Sequence, residues 1–524
     1  MICTDVRLEY RYNQDDIKKA ISSRLPLSYE DIGEVRLLKR TLVAEGDRPY
    51  YKCTVAFSAD GREEGLLKLR KHVRACPALN WQTVSSRLSS RPVVVGAGPA
   101  GLFCALALAE SGARPIVLER GKRVDERCAS VEMFNTLGLL DPECNVQFGE
   151  GGAGTFSDGK LKFGSQDKFK AKVLDEFIRF GADPEIAFSS TAHIGTDKLR
   201  LIIPALRKYI ESLGAEFYFS SKLTDLQISD GSIKAVVFER DGREEILPCE
   251  RVVLASGHSA SDVFEMLLRH SVPMVSKGFG IGVRIEHPRE YINKIVYRDL
   301  ASEIDQTASY HLVSHLGSGR SVYSFCMCPG GSVVAATSGK EGIVTNGMSE
   351  YDRMGENSNS ALLVSFTPDD FGSSSPLAGI ALQRSIEQRA YALTGSYAAP
   401  VSNLSHLLEG KTPSSISGVR PSYPVGSAPF ALDSYLPAFV GSSIAEAMAD
   451  FDSYLPGYLY PDAVLTGPET RSTSPVRISR DDTTLESVGV KGLYPAGEGA
   501  GYAGGIVSSA ADGLRVALAV LEAE

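Results

Sequence analysis

Three glycines and one carboxylate, spaced as in a nucleotide-binding turn, are the chemical groups from which the function can be approached. Gly96 permits a tight turn, Gly98 lets the backbone approach a pyrophosphate, and Gly101 lets a helix pack closely on a sheet. Free N–H groups at the start of that helix would attract the negative charge. Glu119 lies 18 residues after Gly101, where it can accept hydrogen bonds from a ribose. The pattern predicts a dinucleotide site.

The segments around this turn predict the elements that would position it. Val93–Val95 is a β-branched run typical of a buried strand, and Leu102–Ser111 predicts a helix that ends at Gly112. A second strand is predicted for Pro115–Leu118. Because strand, turn, helix, second strand and terminal acid occur in register, we interpret the motif as a ligand site rather than as a bare βαβ turn.

A second glycine-rich segment, Gly149–Leu161, predicts a loop rich in main-chain donors, because it has five glycines among thirteen residues. One alternative is a mobile surface loop. We favour contact with the oxygen-rich parts of a nucleotide, since a spacer would not need the polar side chains that this loop carries. These side chains are Thr155, Ser157, Asp158 and Lys160.

Two further segments end in turns of small residues. Arg251–Ala255 is a buried-strand pattern, and the Ser256–His258 turn that follows is a place where a sheet strand could meet a bound cofactor. Gly492–Gly505 predicts a strand and an acid-bearing glycine turn, and Ile506–Leu521 predicts a helix. The N-terminus of that helix would direct its positive dipole end at the contents of the turn.

The composition is that of a globular protein and limits the classes of partner. Hydrophobic residues are 43% of the 524, charged residues are 23%, and no apolar run approaches the ~18 residues of a membrane helix. The first twenty residues are highly charged, so they contain no signal-peptide core, and we expect a cytoplasmic protein. The nine scattered cysteines lack paired CxxC spacing, which predicts neither disulfides nor a metal site. The net charge of −9 gives little support to a nucleic-acid or membrane partner.

The order of the predicted elements divides the chain into three parts. The first reads as βαββα, with its second helix near Glu63–Val73, and indicates a small ferredoxin-like α/β module. A doubly wound, Rossmann-like domain follows, and alternating strands without βαβ helices predict an inserted, largely antiparallel substrate domain. The predicted boundaries are 1–84 for the module, 92–265 with 461–524 for the Rossmann-like domain, and 266–460 for the insertion.

Several separated segments resemble known flavoproteins. The first glycine turn, the Ser256–His258 turn and the turn before the last helix are together similar to two-domain FAD flavoproteins of the glutathione-reductase-like superfamily. More closely, the sequence resembles the family of uncharacterised FAD-dependent, or NAD(FAD)-utilising, dehydrogenases of bacteria and plastids. The segments that carry this resemblance are Asn145–Leu161, Ala192–Leu199, Val322–Ser338, Thr345–Ser349, Glu469–Ile478 and Pro495–Ile506.

The resemblance implies FAD as the cofactor and a redox fold, without a substrate. Glu498 departs from the aspartate that is common in the last turn, so the geometry of its hydrogen bonds differs from the superfamily pattern. The residues predicted to bind FAD are Gly96, Gly98, Pro99, Ala100, Gly101, Glu119, Arg120, Gly121, Arg127, Gly152, Ala153, Thr155, Ser157, Asp158, Lys160, Leu161, Leu223, Ser256, Gly257, His258, Gly497, Glu498, Gly504, Gly505 and Ile506.

Four side chains are candidates for a catalytic role. Lys160 could stabilise negative charge on the reduced flavin or could neutralise the pyrophosphate. Cys326 and Cys328 share a face if they lie in a strand, so they are either redox-active thiols or small buried hydrophobes. By resemblance, Tyr502 would line the pocket. Four histidines are available as proton donors, and their spacing selects none of them. They are His193, His287, His311 and His315.

The leading functional hypothesis is an FAD-dependent oxidoreductase that transfers hydride between FAD and an unidentified substrate. The alternatives are a flavoprotein that modifies RNA and a non-catalytic protein that uses FAD structurally. Gly278–Gly282 has the wrong glycine spacing for a nicotinamide site and continues into a strand pattern. We therefore expect the electron donor to be a small-molecule substrate or another protein, and the sequence leaves the oligomeric state open.

Overall fold

The computed structural model describes residues 1–69, 72–76, 79, 81–161 and 167–523. The chain begins with a module whose four antiparallel strands have the order β2-β3-β1-β4, the arrangement of a split βαβ unit. Its second helix is shorter than the pattern near Glu63–Val73 predicted, and residues 70 and 71 of that pattern lie outside the described residues. Its elements are β1 (Ile2–Glu9), α1 (Gln14–Arg24), β2 (Val35–Val43), β3 (Tyr50–Phe57), α2 (Glu63–Leu67) and β4 (Arg74–Ala75).

The second part of the chain forms a parallel sheet with helices against it. The first elements are β5 (Val93–Val95), α3 (Pro99–Glu110), β6 (Ile116–Leu118), α4 (Val124–Leu137), α5 (Lys168–Arg179), α6 (Thr196–Ser212), β7 (Glu216–Tyr218), β8 (Ser221–Ser229), β9 (Ser232–Arg240), β10 (Arg243–Pro248), β11 (Val252–Leu254) and α7 (Ser261–Arg269). Strands β8, β9 and β10 form a separate antiparallel sheet. Neither α4 nor α7 was predicted from the sequence. Helix α4 was missed because it starts in a charged segment that resembles a loop.

The third part of the chain contains a seven-stranded sheet and long helices. Its elements are β12 (Met274–Ser276), β13 (Phe279–Pro288), α8 (Arg289–Tyr297), β14 (Val313–His315), β15 (Ser321–Cys328), β16 (Ser332–Ala335), β17 (Thr345–Met348), β18 (Asn357–Phe366), α9 (Ala378–Thr394), β19 (Ala399–Asn403), α10 (Leu404–Glu409), β20 (Ser427–Pro429), α11 (Ala438–Tyr454), β21 (Val464–Glu469) and β22 (Val476–Ile478). The sheet order is β14-β15-β18-β13-β21-β19-β20, and only β19 and β20 among these neighbours run parallel.

Two features of this part differ from the sequence prediction. Long helices α9 and α11 cover the sheet, although the segment was expected to be mainly strands. Strand β21 pairs with β13 and β19, so the sheet continues beyond residue 460, where we placed its end.

The chain then returns to the parallel sheet with β23 (Leu493–Pro495) and α12 (Ile506–Glu522), giving the order β23-β11-β5-β6-β7. Among the described helices, none has the length and apolar character needed to cross a membrane.

The N-terminal module contacts both of the other parts. The backbone N–H of Arg40 in β2 donates to the Phe188 carbonyl, and the Ser190 N–H donates back to the Arg40 carbonyl. On the other side, Tyr10 and Leu42 pack against a buried apolar group defined here as the Met327 cluster. The Met327 cluster consists of Ile292, Tyr297, Leu300, Ile304, Ala308 and Met327.

Candidate functional site

One cavity of about 360 Å³ lies where the carboxyl ends of the parallel strands meet the antiparallel sheet. Most residues predicted to bind a cofactor line it. These are Gly96, Gly98, Pro99, Ala100, Glu119, Arg120, Gly152, Ala153, Ser157, Asp158, Lys160, Leu223, Ser256, Gly257, His258, Glu498, Gly504, Gly505 and Ile506. The segments that the sequence separated by up to about four hundred residues therefore form one site.

Two helices open onto this cavity with their N-termini. Helix α3 has Gly98 as its N-cap and helix α12 has Gly505. Because a glycine cap has no side chain, the first-turn N–H groups remain available to an anion. The helices pack closely, since a Cβ at Gly513 would stand 2.1 Å from the Ala100 carbonyl oxygen. Two positive dipole ends thus face the same cavity.

Glycine is required at the positions of the first turn for different structural reasons. A Cβ at Gly101 would lie 1.8 Å from the Gly96 carbonyl oxygen, so only glycine allows the helix to approach the turn. A Cβ at Gly98 would meet only the Gly152 Cα, at 3.7 Å. Gly152 itself has φ 62° and ψ −164°, a conformation that is essentially restricted to glycine. The space in front of Gly98 is therefore open to a ligand and not filled by protein.

Glu119 holds the two glycine segments together. Its carboxylate accepts hydrogen bonds from the N–H groups of Ala97 at 2.8 Å and of Gly121 and Gly149 at 2.9 Å each. The sequence assigned it only to a ribose. It lines the cavity, but its carboxylate is also the acceptor for three buried backbone donors, which makes it part of the fold of the site.

Six of the residues predicted to bind the cofactor do not line the cavity. These are Gly101, Gly121, Arg127, Thr155, Leu161 and Gly497. Arg127 is fully buried and donates to the carbonyl oxygens of Asn145, Val146 and Glu150. Burial lowers the pKa of its guanidinium to about 10. Arg127 therefore supports the second glycine loop from behind, which is a different role from the predicted one.

The acid of the last turn has an altered proton affinity. Glu498 lines the cavity, and burial raises the pKa of its carboxyl to about 7, although Lys277 opposes the shift. A second acid, Asp512, supports this turn from outside the cavity lining. It accepts from the Gly497 N–H at 2.7 Å and pairs with Arg480 at 2.7 Å. Glu498 is thereby left directed to the cavity with a proton that it can exchange near neutral pH.

Lys160 also lines the cavity and lies beside a buried ion pair. Asp158 and Arg353 are 2.9 Å apart. Burial opposes ionisation of Asp158, but the Arg353 charge outweighs it, so the pKa of this carboxyl is below its ordinary value. His193 forms a β-bridge with Lys160, and burial lowers the pKa of its imidazole to about 4. A neutral histidine and an ion pair therefore surround the lysine.

Polar side chains from the third part of the chain also line the cavity. Arg284 pairs with Glu469 through two bonds, at 2.6 and 2.9 Å, and donates to the Asn346 side-chain oxygen at 3.1 Å. Arg471 is held by Glu387, at 2.9 and 2.7 Å. Glu469, Asn346 and Arg471 line the cavity. The sequence did not single them out, although all three lie in segments that carried the family resemblance, and this was the available signal.

The thiol pair differs from the prediction. The pairing of β15 with β18 shifts register between Phe325 and Cys328, so the strand alternation that would put both thiols on one face is broken. Cys326 is half-buried and lines the cavity, whereas Cys328 is fully buried behind it. The interpretation in which both thiols face one cavity therefore fails for Cys328, whose burial matches the alternative of a small buried hydrophobe.

Tyr502 also lies elsewhere than expected. Its hydroxyl donates to the Ile478 carbonyl at 3.1 Å, and its ring lies 3.7 Å from the Arg480 guanidinium. It does not line the cavity, because the turn directs its ring toward β22. Of the other histidines, His287 is buried against Tyr458 and has its pKa lowered to about 4 by burial. His258, in the cavity wall, has its pKa lowered to about 4 for the same reason.

This geometry fits FAD. A dinucleotide requires an open glycine turn, an acceptor for ribose hydroxyls and donors for two phosphates, and the cavity brings these together at Gly98, Glu119 and two helix N-termini. The fit rests on the space before Gly98 and on the uncapped helix starts. The glycines of the Gly278–Gly282 segment, in contrast, lie in or just before strand β13, where there is no helix start.

Comparison with known proteins agrees with this assignment. Residues 90–273 match the family described as FAD binding domain, and residues 278–472 match the family described as FAD-dependent protein, C-terminal domain-like. An uncharacterized protein of Clostridium beijerinckii is 43% identical over 517 residues, which are 97% of this chain and 96% of the relative.

Solved structures overlap with the chain only weakly. A geranylgeranyl bacteriochlorophyll reductase-like protein of Thermoplasma acidophilum has a TM-score of 0.37 at 12% identity, covering 82% of this chain and 78% of the other. A flavoprotein/dehydrogenase of Cytophaga hutchinsonii has a TM-score of 0.35 at 12% identity, with coverage of 82% and 78%. Overlap of this degree carries no argument about activity. From the sequence matches, the chain belongs to the family of the Clostridium beijerinckii protein, and its cofactor is FAD.

Proposed function

We propose that this protein is an FAD-dependent oxidoreductase whose substrate meets the cofactor at the boundary of the parallel and antiparallel sheets. The observation that carries the proposal is the composition of the cavity. The dinucleotide-binding turn shares it with Lys160, Cys326 and Glu469, which come from outside the parallel sheet. A protein that used FAD only for stability would not need titratable side chains facing the space beside the cofactor.

Bound FAD supplies the hydride chemistry, and the protein supplies orientation and charge. Lys160 and the N-terminus of α12 place positive charge around the cavity, where negative charge develops on the cofactor. Glu498 has a pKa of about 7 because of burial, so it can take up or release a proton at neutral pH. Arg471 is held rigidly by Glu387 and can orient an anionic or carbonyl-bearing substrate.

The electron donor in this proposal is the substrate itself or another protein. A dedicated nicotinamide domain would carry a second strand, glycine turn and helix. The glycine-rich segment at which one could be sought continues as strand β13, and a Cβ at Gly282 would stand 1.8 Å from the Leu362 carbonyl oxygen. Its glycines thus serve the close packing of two strands.

The experiment is photoreduction of the purified holoprotein without oxygen, followed by reoxidation with a panel of organic acceptors and reduction with a panel of donors. We expect at least one compound to exchange electrons with FAD faster than solvent does. Lys160→Met should lower the rate at least tenfold while FAD stays bound, and the exposed Lys168→Met is the matched control. A cofactor that remains bound but cannot be reduced at any accessible potential would overturn the proposal in favour of a structural role.

A further inference from the structure

Cys326 is directed into the cavity by a local distortion of strand β15. Its φ is +43°, in the left-handed region that residues other than glycine seldom adopt, and the register of the strand shifts at this point. Bulges beside active sites commonly redirect one side chain. Here the bulge brings Cys326 to the cavity wall, whereas Cys328 is fully buried behind it.

The two thiols remain neighbours across the bulge. The Cys328 Sγ lies 3.2 Å from the Cys326 carbonyl oxygen. Two residues of an extended strand rise about 6.6–6.8 Å, close to the upper limit of the Cα separation that a disulfide bridges. Closing an S–S bond between these residues therefore requires the backbone of the bulge to draw the two cysteines together as their side chains rotate.

The surroundings favour the thiolate at Cys326 and the thiol at Cys328. Arg284 donates to the Cys326 carbonyl at 3.0 Å and lies 3.9 Å from the Cys328 sulfur. A hydrogen bond from Cys328 lowers the pKa of the Cys326 thiol well below its ordinary value, and the charges of Lys160 and Arg284 act in the same direction. At Cys249, in contrast, burial raises the pKa of the thiol to about 12.

We propose that Cys326 and Cys328 form a dithiol–disulfide pair that exchanges two electrons with the FAD bound in this cavity. The inference rests on the proposed function, because it requires a cofactor that is reduced and reoxidised. Cys326 is the thiol that meets the cofactor or an incoming substrate, and Cys328 is the buried partner that closes the disulfide. The pair gives the protein a store for a second pair of electrons.

The balance of the step is simple. When the S–S bond forms, the S–H bond of Cys328 breaks, the Cys326 thiolate contributes its electron pair, and one proton leaves from Cys328. Two electrons pass to oxidised FAD, which takes up protons from the solvent. In the opposite direction, the S–S bond would accept two electrons from the cofactor held in the cavity and break, and Cys328 would regain its proton. The only oxidant or reductant needed is the cofactor.

The test counts electrons and thiols in the same sample of holoprotein. An oxidised sample is titrated with dithionite without oxygen while FAD absorbance is followed, and portions taken before and after the titration are alkylated at about pH 6 so that free thiols can be located by mass spectrometry. We expect about four electrons per FAD in the wild type and about two in Cys326→Ser and Cys328→Ser, with a Cys326–Cys328 disulfide only in the oxidised wild type. Cys128→Ser, at a half-buried cysteine outside the cavity, should behave as the wild type.

The outcomes separate this inference from the proposed function. Two electrons per FAD in the wild type, with both thiols free after oxidation, would overturn the dithiol pair and leave the oxidoreductase proposal intact. A bound FAD that accepts no electrons would overturn the oxidoreductase proposal instead. If the serine variants fail to fold, the mass of the peptide containing both cysteines in the oxidised wild type decides the question alone, since a disulfide lowers it by two hydrogens and prevents alkylation.

Discussion

Replacing Gly98 by valine should remove FAD binding without unfolding the protein. Gly98 has φ −77° and ψ −176°, which valine adopts readily. Its Cβ would meet only the Gly152 Cα, at 3.7 Å, an ordinary contact distance. In the absence of the cofactor, the free energy of unfolding should therefore change by no more than about 0.5 kcal/mol. The two γ-methyl groups would occupy the space into which the pyrophosphate must fit.

The matched comparison is Gly101→Ala, a smaller change with the opposite expectation. Its Cβ would stand 1.8 Å from the Gly96 carbonyl oxygen, so helix α3 must move from the turn. Overpacking of this kind costs about 1–3 kcal/mol of folding free energy or more. Gly98→Val is thus predicted to lose affinity with a stable apoprotein, and Gly101→Ala to lose stability in the apoprotein itself.

The assay is urea unfolding of each apoprotein, followed by thermal unfolding with added FAD. A ligand at 1,000 times its Kd stabilises the folded state by about 4 kcal/mol, so FAD should raise the Tm of the wild type and of Gly317→Ala, a position outside the cavity where the added Cβ meets nothing within 4 Å. It should leave the Tm of Gly98→Val unchanged. If Gly98→Val binds FAD with the affinity of the wild type, the pyrophosphate does not lie at this turn and the assignment of the cavity fails.

Three further outcomes are expected. Glu119→Ala leaves three buried N–H groups without their acceptor, so urea unfolding of the apoprotein should show a loss of about 3 kcal/mol or more, and an unchanged midpoint would contradict the role given to Glu119. The raised pKa of Glu498 means that its contribution to stability is present below its ordinary pKa and is lost as the pH rises through about 7. Glu498→Gln should therefore stabilise the apoprotein by about 1–3 kcal/mol at pH ~8 and by much less at pH ~5, and an equal effect at both would refute this. NADH and NADPH should reduce the FAD slowly and without saturation, and rapid, saturable bleaching in anaerobic stopped-flow with a Kd below ~1 mM would reveal a nicotinamide site.

The glycine turns could be found from the sequence because their chemistry is local. The spacing of Gly96, Gly98 and Gly101 indicates where the backbone must turn and where it must approach a ligand. Strand β5 and helix α3 lie where the sequence patterns predicted a strand and a helix. The assembly of the site was also within reach, since parallel strands end at one edge of a sheet. The comparison with FAD-binding families supports the cofactor that these turns indicated.

What the sequence could not give depends on register and on long-range contact. The prediction for Cys328 assumed strand alternation, and one bulge reverses it. Arg127 and Asn145 lie 18 residues apart in sequence, so nothing in their spacing shows that the arginine supports a loop. The charge of Arg471 becomes informative only when Glu387 and the cavity are placed beside it.

The Met327 cluster connects the N-terminal module to the bulge of β15 by direct packing. Met327 lies between the two cysteines of the bulge and is buried in a group against which Tyr10 and Leu42 of the N-terminal module pack. A shift of the module would be passed to the bulge and through it to Cys326 in the cavity lining. Tyr10 and Leu42 are therefore positions at which the reactivity of the thiols can be tuned from outside the site. If the module were replaced by that of a relative, we expect that the residues of the bulge would have to be replaced together with it.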